Sequence, residues 1–219
     1  MINSELISLE DIILLGGGKH CASVIDSIRS QGLYNPIGIL DIPEKIGTTI
    51  HGVPILDTDD KLKEYYNKGI QNAFVTIGSI GETVVREKLV RLAADIGFAF
   101  PNIIDPSAIV SSHAQIGEGV FIGKGAIINT NAFIDNHSIV NTGSIIEHDC
   151  VIGKFVHLAP GSTFSGGVCV GDYTHIGTNS TVIQDISIGD RTLIGAGSVV
   201  IKNIGDHKKA YGNPCKEIS

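Results

Sequence analysis

Read in sixes from Ser107 to Lys202, the chain runs SAIVSS, HAQIGE, GVFIGK, GAIINT, NAFIDN, HSIVNT, GSIIEH, DCVIGK, FVHLAP, GSTFSG, GVCVGD, YTHIGT, NSTVIQ, DISIGD, RTLIGA, GSVVIK. The fourth residue of every hexad, from Val110, Ile116 and Ile122 through to Val200, is Ile, Val or Leu, with Phe164 as the one exception. At 42% apolar residues overall, sixteen such positions in succession arise by chance about once in a million. This is a structural repeat. A short strand that turns by about 120° every six residues closes a triangular coil in three hexads, with the aliphatic residue pointing to the axis. Sixteen hexads make about five coils, stacked ~4.8 Å apart. The residue two before the aliphatic is mostly small or β-branched (Ala114, Ala126, Ala132, Ser144, Ser162, Thr174), as a crowded corner demands. The residue after it is often Gly, Asn or Asp (Gly117, Gly123, Asn129, Asp135, Asn141), which predicts unusual backbone angles there. A filled prism leaves no interior for chemistry. Its functional surface is its faces and the grooves between copies, and exposed Ile and Val on flat faces predict an oligomer.

Upstream of about Pro106 the period is different. Short apolar runs alternate with helical patterns, the mark of a parallel α/β unit. Strands are expected at Ile12–Leu15, Ile37–Leu40 and Ala73–Ile77, and helices at about 21–30, 59–67 and 82–96. The chain therefore divides into 1–104, a Rossmann-like domain, and 105–219, a β-helix with a short C-terminal cap. The first strand runs into Gly16-Gly17-Gly18-Lys19-His20, and glycines between a strand and a helix let a phosphate reach backbone N–H groups. A dinucleotide fingerprint requires glycine at position 21, which is Cys21, so a nicotinamide cofactor is disfavoured.

Composition removes other classes. A net charge of −7 without a basic stretch argues against nucleic acid as a partner. No apolar run approaches the ~20 residues of a membrane span, and the N-terminus lacks the basic region of a signal peptide. The four cysteines, Cys21, Cys150, Cys169 and Cys215, form no CxxC pair. That pattern suggests neither a zinc ribbon nor a thioredoxin-type motif and fits a reducing cytoplasm.

The hexads, the segment Ile146-Glu147-His148-Asp149-Cys150-Val151-Ile152-Gly153 and the N-terminal LLGGGKH together resemble a known family. They are similar to the sugar O-/N-acyltransferases of the left-handed β-helix superfamily. Within it the resemblance is to bacterial sialic acid O-acetyltransferases and to the N-acetyltransferases of UDP-4-amino-sugars of the bacillosamine pathway type. It covers nearly the whole chain. It implies an α/β Rossmann-like domain followed by a left-handed parallel β-helix, a homotrimer, and acetyl-CoA as co-substrate in clefts between neighbouring prisms.

On this resemblance His148 is the general base of acyl transfer, since imidazole titrates in the range the step needs, and Asp149 orients the ring. Gly166 follows His148 by one coil, so it stacks beneath it with no side chain to obstruct a thioester, and its N–H is an oxyanion donor. The family implies that His157, half a coil from His148, contacts acetyl-CoA from the neighbouring chain, and that Thr178 lines the CoA site. His175, one coil beyond His157, stacks on it. Half-coil histidine spacing fits poorly the three-histidine zinc site of the γ-class carbonic anhydrases, so no metal is expected. For the nucleotide-sugar the resemblance implies the glycine turn with Gly18, Lys19, His20, Asp41 and Gly78. Relatives commonly carry glycine at Lys19 and a second acid at Ile42. The tail Tyr211-Gly212-Asn213-Pro214-Cys215-Lys216 resembles the family's ending and caps the prism.

The expected activity is acetyl-CoA-dependent N-acetylation of a nucleotide-linked 4-amino-sugar in surface-glycan biosynthesis. The alternatives are O-acetylation of sialic acid or a related acidic sugar, and a non-catalytic β-helix that binds glycan or ice.

Overall fold

The computed structural model describes residues 9–218. The reading that the chain starts without a signal peptide falls mostly on residues 1–8, outside the described residues. Among the described residues no helix is long and apolar enough to cross a membrane.

The N-terminal half comprises β1 (Glu10–Leu15), α1 (Lys19–Gln31), β2 (Tyr34–Leu40), β3 (Thr49–Ile50), β4 (Val53–Asp57), α2 (Leu62–Asn67), β5 (Asn72–Val75) and α3 (Val84–Ile96). The sheet order is β3-β4-β2-β1-β5, parallel except for the β3–β4 pair. Ile12, Ile13, Leu14 and Leu15 are fully buried, because helices cover both faces of a parallel sheet. β3 and β4 gave no clear sequence signal: one has two residues, and Pro54 interrupts the other. Helix α1 stops at Gly32, whose φ of 69° lets its N–H bond back to Ile28.

The second half is the prism. Its strands have two residues each, the third and fourth of each hexad, and pair in parallel one coil apart: Ile127 with Ile109 and Ile145, Phe133 with Gln115 and Val151, Ile139 with Phe121 and His157. Three sheets result. The first face carries Ile109–Val110 to Val199–Val200, the second Gln115–Ile116 to Ser187–Ile188, and the third begins at Ile103–Ile104. The prism thus starts just before residue 105. The aliphatic fourth residues form one continuous core from Val110 to Val200. Past Val200 the register tightens: Ile204 bridges to Ile188 and Lys209 pairs with Leu193. The hairpin of Lys209–Gly212 and Cys215–Ile218 continues the third face.

The corners correct one expectation. The left-handed backbone angles sit at the first residue of the hexad, as at Asn131, Asp149, Phe155, Tyr173 and Arg191, and the residue after the aliphatic is absent from them. Glycine after the aliphatic is a packing requirement instead. A Cβ at Gly177 would lie 2.4 Å from the backbone nitrogen of Ala196, and one at Gly117 2.9 Å from that of Asn136. The inner small residues carry a second pattern: Ser138, Thr174 and Ser180 donate their hydroxyls to the carbonyls of Gly153, Gly189 and Gly195, at 2.7, 2.7 and 2.9 Å. The buried hydroxyls are thereby satisfied.

The third face is not open. Its outward residues Ile103, Phe121, Ile139, His157 and His175 are buried, and Val24, Ile25 and Ile28 of α1 pack with the first three. Arg86 of α3 crosses the seam. It donates to Ser79 Oγ at 3.1 Å, to the Phe155 carbonyl at 3.2 Å and to the His137 carbonyl. Three imidazoles are held neutral in this seam. Burial first, and then the Arg86 charge, lower His20 and His137 to about 4. Burial, the neighbouring His175 and Arg86 lower His157 to about 3.

Two outcomes follow from this packing. Gly177→Ala is expected to cost about 1–3 kcal/mol by overpacking, read as a lower midpoint in chemical denaturation; an unchanged midpoint contradicts the packing argument. The unfolded histidines take up protons near pH 6.5, whereas the folded ones resist until about pH 4. Stability is therefore full above pH 6.5 and falls as the pH drops toward 4. A denaturation midpoint flat from pH 7 to 4.5 would show that these rings titrate normally.

Candidate active site

His148 and Asp149 are the two turn residues of the corner between the first and second faces, both exposed. Asp149 adopts φ 60°, a conformation Asp and Asn tolerate better than most residues. That backbone turns its carboxylate onto the preceding ring: His148 Nδ1 lies 2.8 Å from Asp149 Oδ2. A carboxylate accepts, so Nδ1 carries the proton and Nε2 is left as the free base. Asn131, one coil above, donates to Asp149 Oδ1 at 3.1 Å, and Asn129 donates to Glu147 at 2.9 Å. The Asp149 hydrogen bond, backed by the charges of Asp149, Glu147 and Asp185, raises the His148 pKa above its ordinary value. Gly166 lies directly against the ring, where a Cβ would come 2.7 Å from His148 Nε2. The spacing of one coil indicated this stacking, and the same rule applied upward from Asp149 points to Asn131.

The second group of sequence-selected residues gathers on the third face, under the N-terminal half. Gly78 packs against His20 and His157, its virtual Cβ 3.6 Å from His20 Cβ and 3.9 Å from His157 Cε1. The His20 and His157 ring centroids are 6.5 Å apart, and those of His157 and His175 are 5.0 Å apart at right angles. His157 Nδ1 donates to the Ser79 carbonyl at 2.6 Å, leaving Nε2 to face the Asn141 amide at 3.4 Å. His157 is thus bound within its own chain, 8% exposed, where the resemblance implied a ring offered to a neighbouring chain's ligand. His20 Nε2 is buried without a hydrogen-bond partner. Gly16-Gly17-Gly18 leads into α1, with Gly18 exposed and no side chain capping the helix. Asp41 at the end of β2 accepts from Gly17 N–H, and Lys45 donates to the same carboxylate at 2.8 Å. Lys19 is exposed, and sequence reasoning gave no signal for Lys45.

Two residues lie apart from both groups. Thr178 is exposed at the corner between the third and first faces, so the whole first face separates it from the His148 corner. Cys150, although two residues from His148, is fully buried and donates to the Ser165 carbonyl at 3.3 Å, in the place that Ser138 and Ser180 fill with hydroxyls. Burial pushes its thiol up to about 11, so it is no nucleophile. Among the described residues, no group of three or more His, Cys, Asp or Glu side chains is placed to hold a metal.

Comparison with known proteins bears on both groups. Residues 11–92 match the family model of the PglD N-terminal domain, and residues 167–202 match that of the bacterial transferase hexapeptide (six repeats). No curated protein matches the chain. Among solved structures it is similar to a mutant of perosamine N-acetyltransferase from Caulobacter crescentus, in complex with CoA and GDP-perosamine. The identity there is 36% and the TM-score 0.91, over 97% of this chain and 98% of that one. It is also similar to the acetyltransferase domain of PglB from Neisseria gonorrhoeae in complex with acetyl coenzyme A, at 29% identity and a TM-score of 0.89, covering 96% and 100%. WeeI from Acinetobacter baumannii follows at 25% and 0.84, covering 96% and 100%. The chain belongs to the family of sugar acyltransferases that join a PglD-type Rossmann-like domain to a left-handed β-helix of hexapeptide repeats.

Proposed function

We propose that the protein transfers the acetyl group of acetyl-CoA to the amine of a nucleotide-linked 4-amino-sugar, in the cytoplasmic stage of surface-glycan assembly. The observation that carries this reading is the Asp149-oriented imidazole of His148 above the bare backbone of Gly166, in a chain 36% identical to a relative whose structure holds both CoA and GDP-perosamine. In this reading His148 Nε2 takes a proton from the sugar amine as its nitrogen attacks the thioester carbonyl. The C–S bond breaks, and the proton passes to the departing thiolate. Asp149 steadies the imidazolium, and the Gly166 N–H serves the oxygen that gains charge. No acyl-enzyme forms, since the neighbouring thiol of Cys150 is buried in the core.

The acceptor site in this proposal is the Gly16–His20 turn with Gly18, Lys19, His20, Asp41 and Gly78. Within one chain the His148 corner and this turn belong to different sides of the prism, because the third face is covered by the N-terminal half. A homotrimer supports both: His148 of one copy faces the turn of the next, with CoA in the cleft and Thr178 and His157 along its walls. The exposed column Phe133, Val151 and Cys169 of the second face supplies apolar surface for such contact. The division of the chain is proposed at the Phe100–Asn102 segment, ahead of the prism strand at Ile103–Ile104.

The test is CoA release from acetyl-CoA with UDP- and GDP-linked 4-amino-sugars and with sialic acid. One amino-sugar is expected to turn over, with the rate falling at least ~100-fold in His148→Ala and unchanged in Cys150→Ser. Turnover of sialic acid alone would overturn the acceptor, and loss of activity in Cys150→Ser would overturn the direct mechanism. The raised pKa of His148 gives a second outcome. The base works unprotonated, so kcat/KM climbs with pH through a midpoint above 6.5. Asp149→Asn, which keeps the left-handed turn, is expected to move that midpoint down; an unmoved midpoint would remove Asp149 from the role.

A further inference from the structure

The glycine turn is already occupied from within. Asp41 engages both carboxylate oxygens on its own chain: Oδ2 accepts from Gly17 N–H and from Lys45 Nζ at 2.8 Å, and Oδ1 accepts from Ile42 N–H at 2.7 Å. Its side chain is 11% exposed. An acid at the end of the second strand of a dinucleotide fold leaves its oxygens free for a ribose; this one braces the turn. Gly17 needs to be glycine for the same reason, since a Cβ there would sit 2.8 Å from Asp41 Oδ2.

That brace carries an electrostatic problem. A carboxylate held on the turn's first free amide stands beside the N-terminus of α1, where the substrate's diphosphate must bring two negative charges. Lys45 resolves it. Its ammonium donates to Asp41 Oδ2 and also reaches the Gly17 carbonyl at 3.3 Å, tying the short helical segment Pro43–Lys45 to the turn. Lys19, the cation that the sequence placed here, is exposed and makes no ion pair or side-chain hydrogen bond among the described residues.

We propose that Lys45 is a positioning residue for the diphosphate of the nucleotide-sugar. By neutralising Asp41 it lets that carboxylate hold the glycine turn in shape without repelling the ligand. The inference rests on the turn being the nucleotide-sugar site. It assigns Asp41 to the turn's architecture in place of a direct ligand contact, and it makes the two charges an interdependent pair. Lys45 without Asp41 and Asp41 without Lys45 are unequal losses, and removal of both is milder than removal of the cation alone.

The experiment is calorimetric titration of the full chain with UDP and with GDP, for wild type, Lys45→Met, Lys45→Arg and the double variant Asp41→Asn/Lys45→Met. Steady-state kinetics on the accepted amino-sugar accompany it. Lys45→Met is expected to weaken binding of the preferred nucleotide about tenfold or more, the scale of one charge-assisted contact. The corresponding rise should fall on KM, with kcat at saturation within about twofold. Lys45→Arg should keep most of the affinity, and the double variant should recover it to within about threefold of wild type. A Lys45→Met protein that binds like wild type overturns the proposal. So does a double variant as weak as Lys45→Met, because the cation would then act on the ligand directly or only through folding. If wild type binds acetyl-CoA but neither nucleotide, the acceptor site itself is wrong, a failure distinct from the other two.

Discussion

Everything in this molecule is subordinate to the eighteen-residue coil. One aliphatic side chain per hexad, stacked on its equivalents above and below, fixes the radius of the prism and the position of every corner. Once that spacing holds, residues eighteen apart become neighbours without further instruction. Asn131 supports Asp149, and Gly166 clears the space beneath His148, for that reason. The corners have a cost in backbone conformation, met by Asn, Asp and Gly in the column of Asp149, at 131, 149, 167 and 185. In a neighbouring column Phe155 and Tyr173 take the same left-handed angles, with stacked rings 5.5 Å apart and Arg191 lying over Tyr173 at 4.1 Å. The column of Asp149 is spared such bulk, which leaves His148 open.

The second constraint is the seam. A prism has three faces, and the N-terminal half covers one of them. That choice buries His157 and His175 and binds His157 to Ser79, while His148 stands exposed at the corner of the other two faces. On the proposed reading, with the base at one corner and the acceptor turn on the covered face, the functional unit is completed where copies meet. The proposed assembly follows from the division of the faces, since the second face keeps Phe133 and Val151 exposed.

The sequence made the prism legible because its signal is long and strictly periodic; the His148–Asp149 corner was legible through the family resemblance of the Ile146–Gly153 segment, with periodicity adding Gly166 beneath it. Three things escaped. The role of glycine after the aliphatic was misread: composition reports tolerance of odd angles, whereas the coil below reports a shortage of space, and only coordinates separate the two. What covers the third face was hidden too: spacing puts His157 on that face but does not reveal that its ring is bound to the Ser79 carbonyl. Lys45 was invisible because its partners, Asp41 and the Gly17 carbonyl, are brought to it by a short irregular segment with no period. Periodic structure is readable from one chain, and contacts made by irregular segments are not.

The most direct test of the account is subunit complementation. Two variants expected to be inactive, His148→Ala and His20→Ala, are co-expressed with different tags, and oligomers carrying both tags are purified. Each pure variant has one half of every site broken. A site built from the His148 corner of one copy and the glycine turn of the next is restored in some clefts of the mixed oligomer, so acetyl transfer should reappear well above either parent. Mixed oligomers as inactive as their parents would contradict the account and place both halves of the site within one chain.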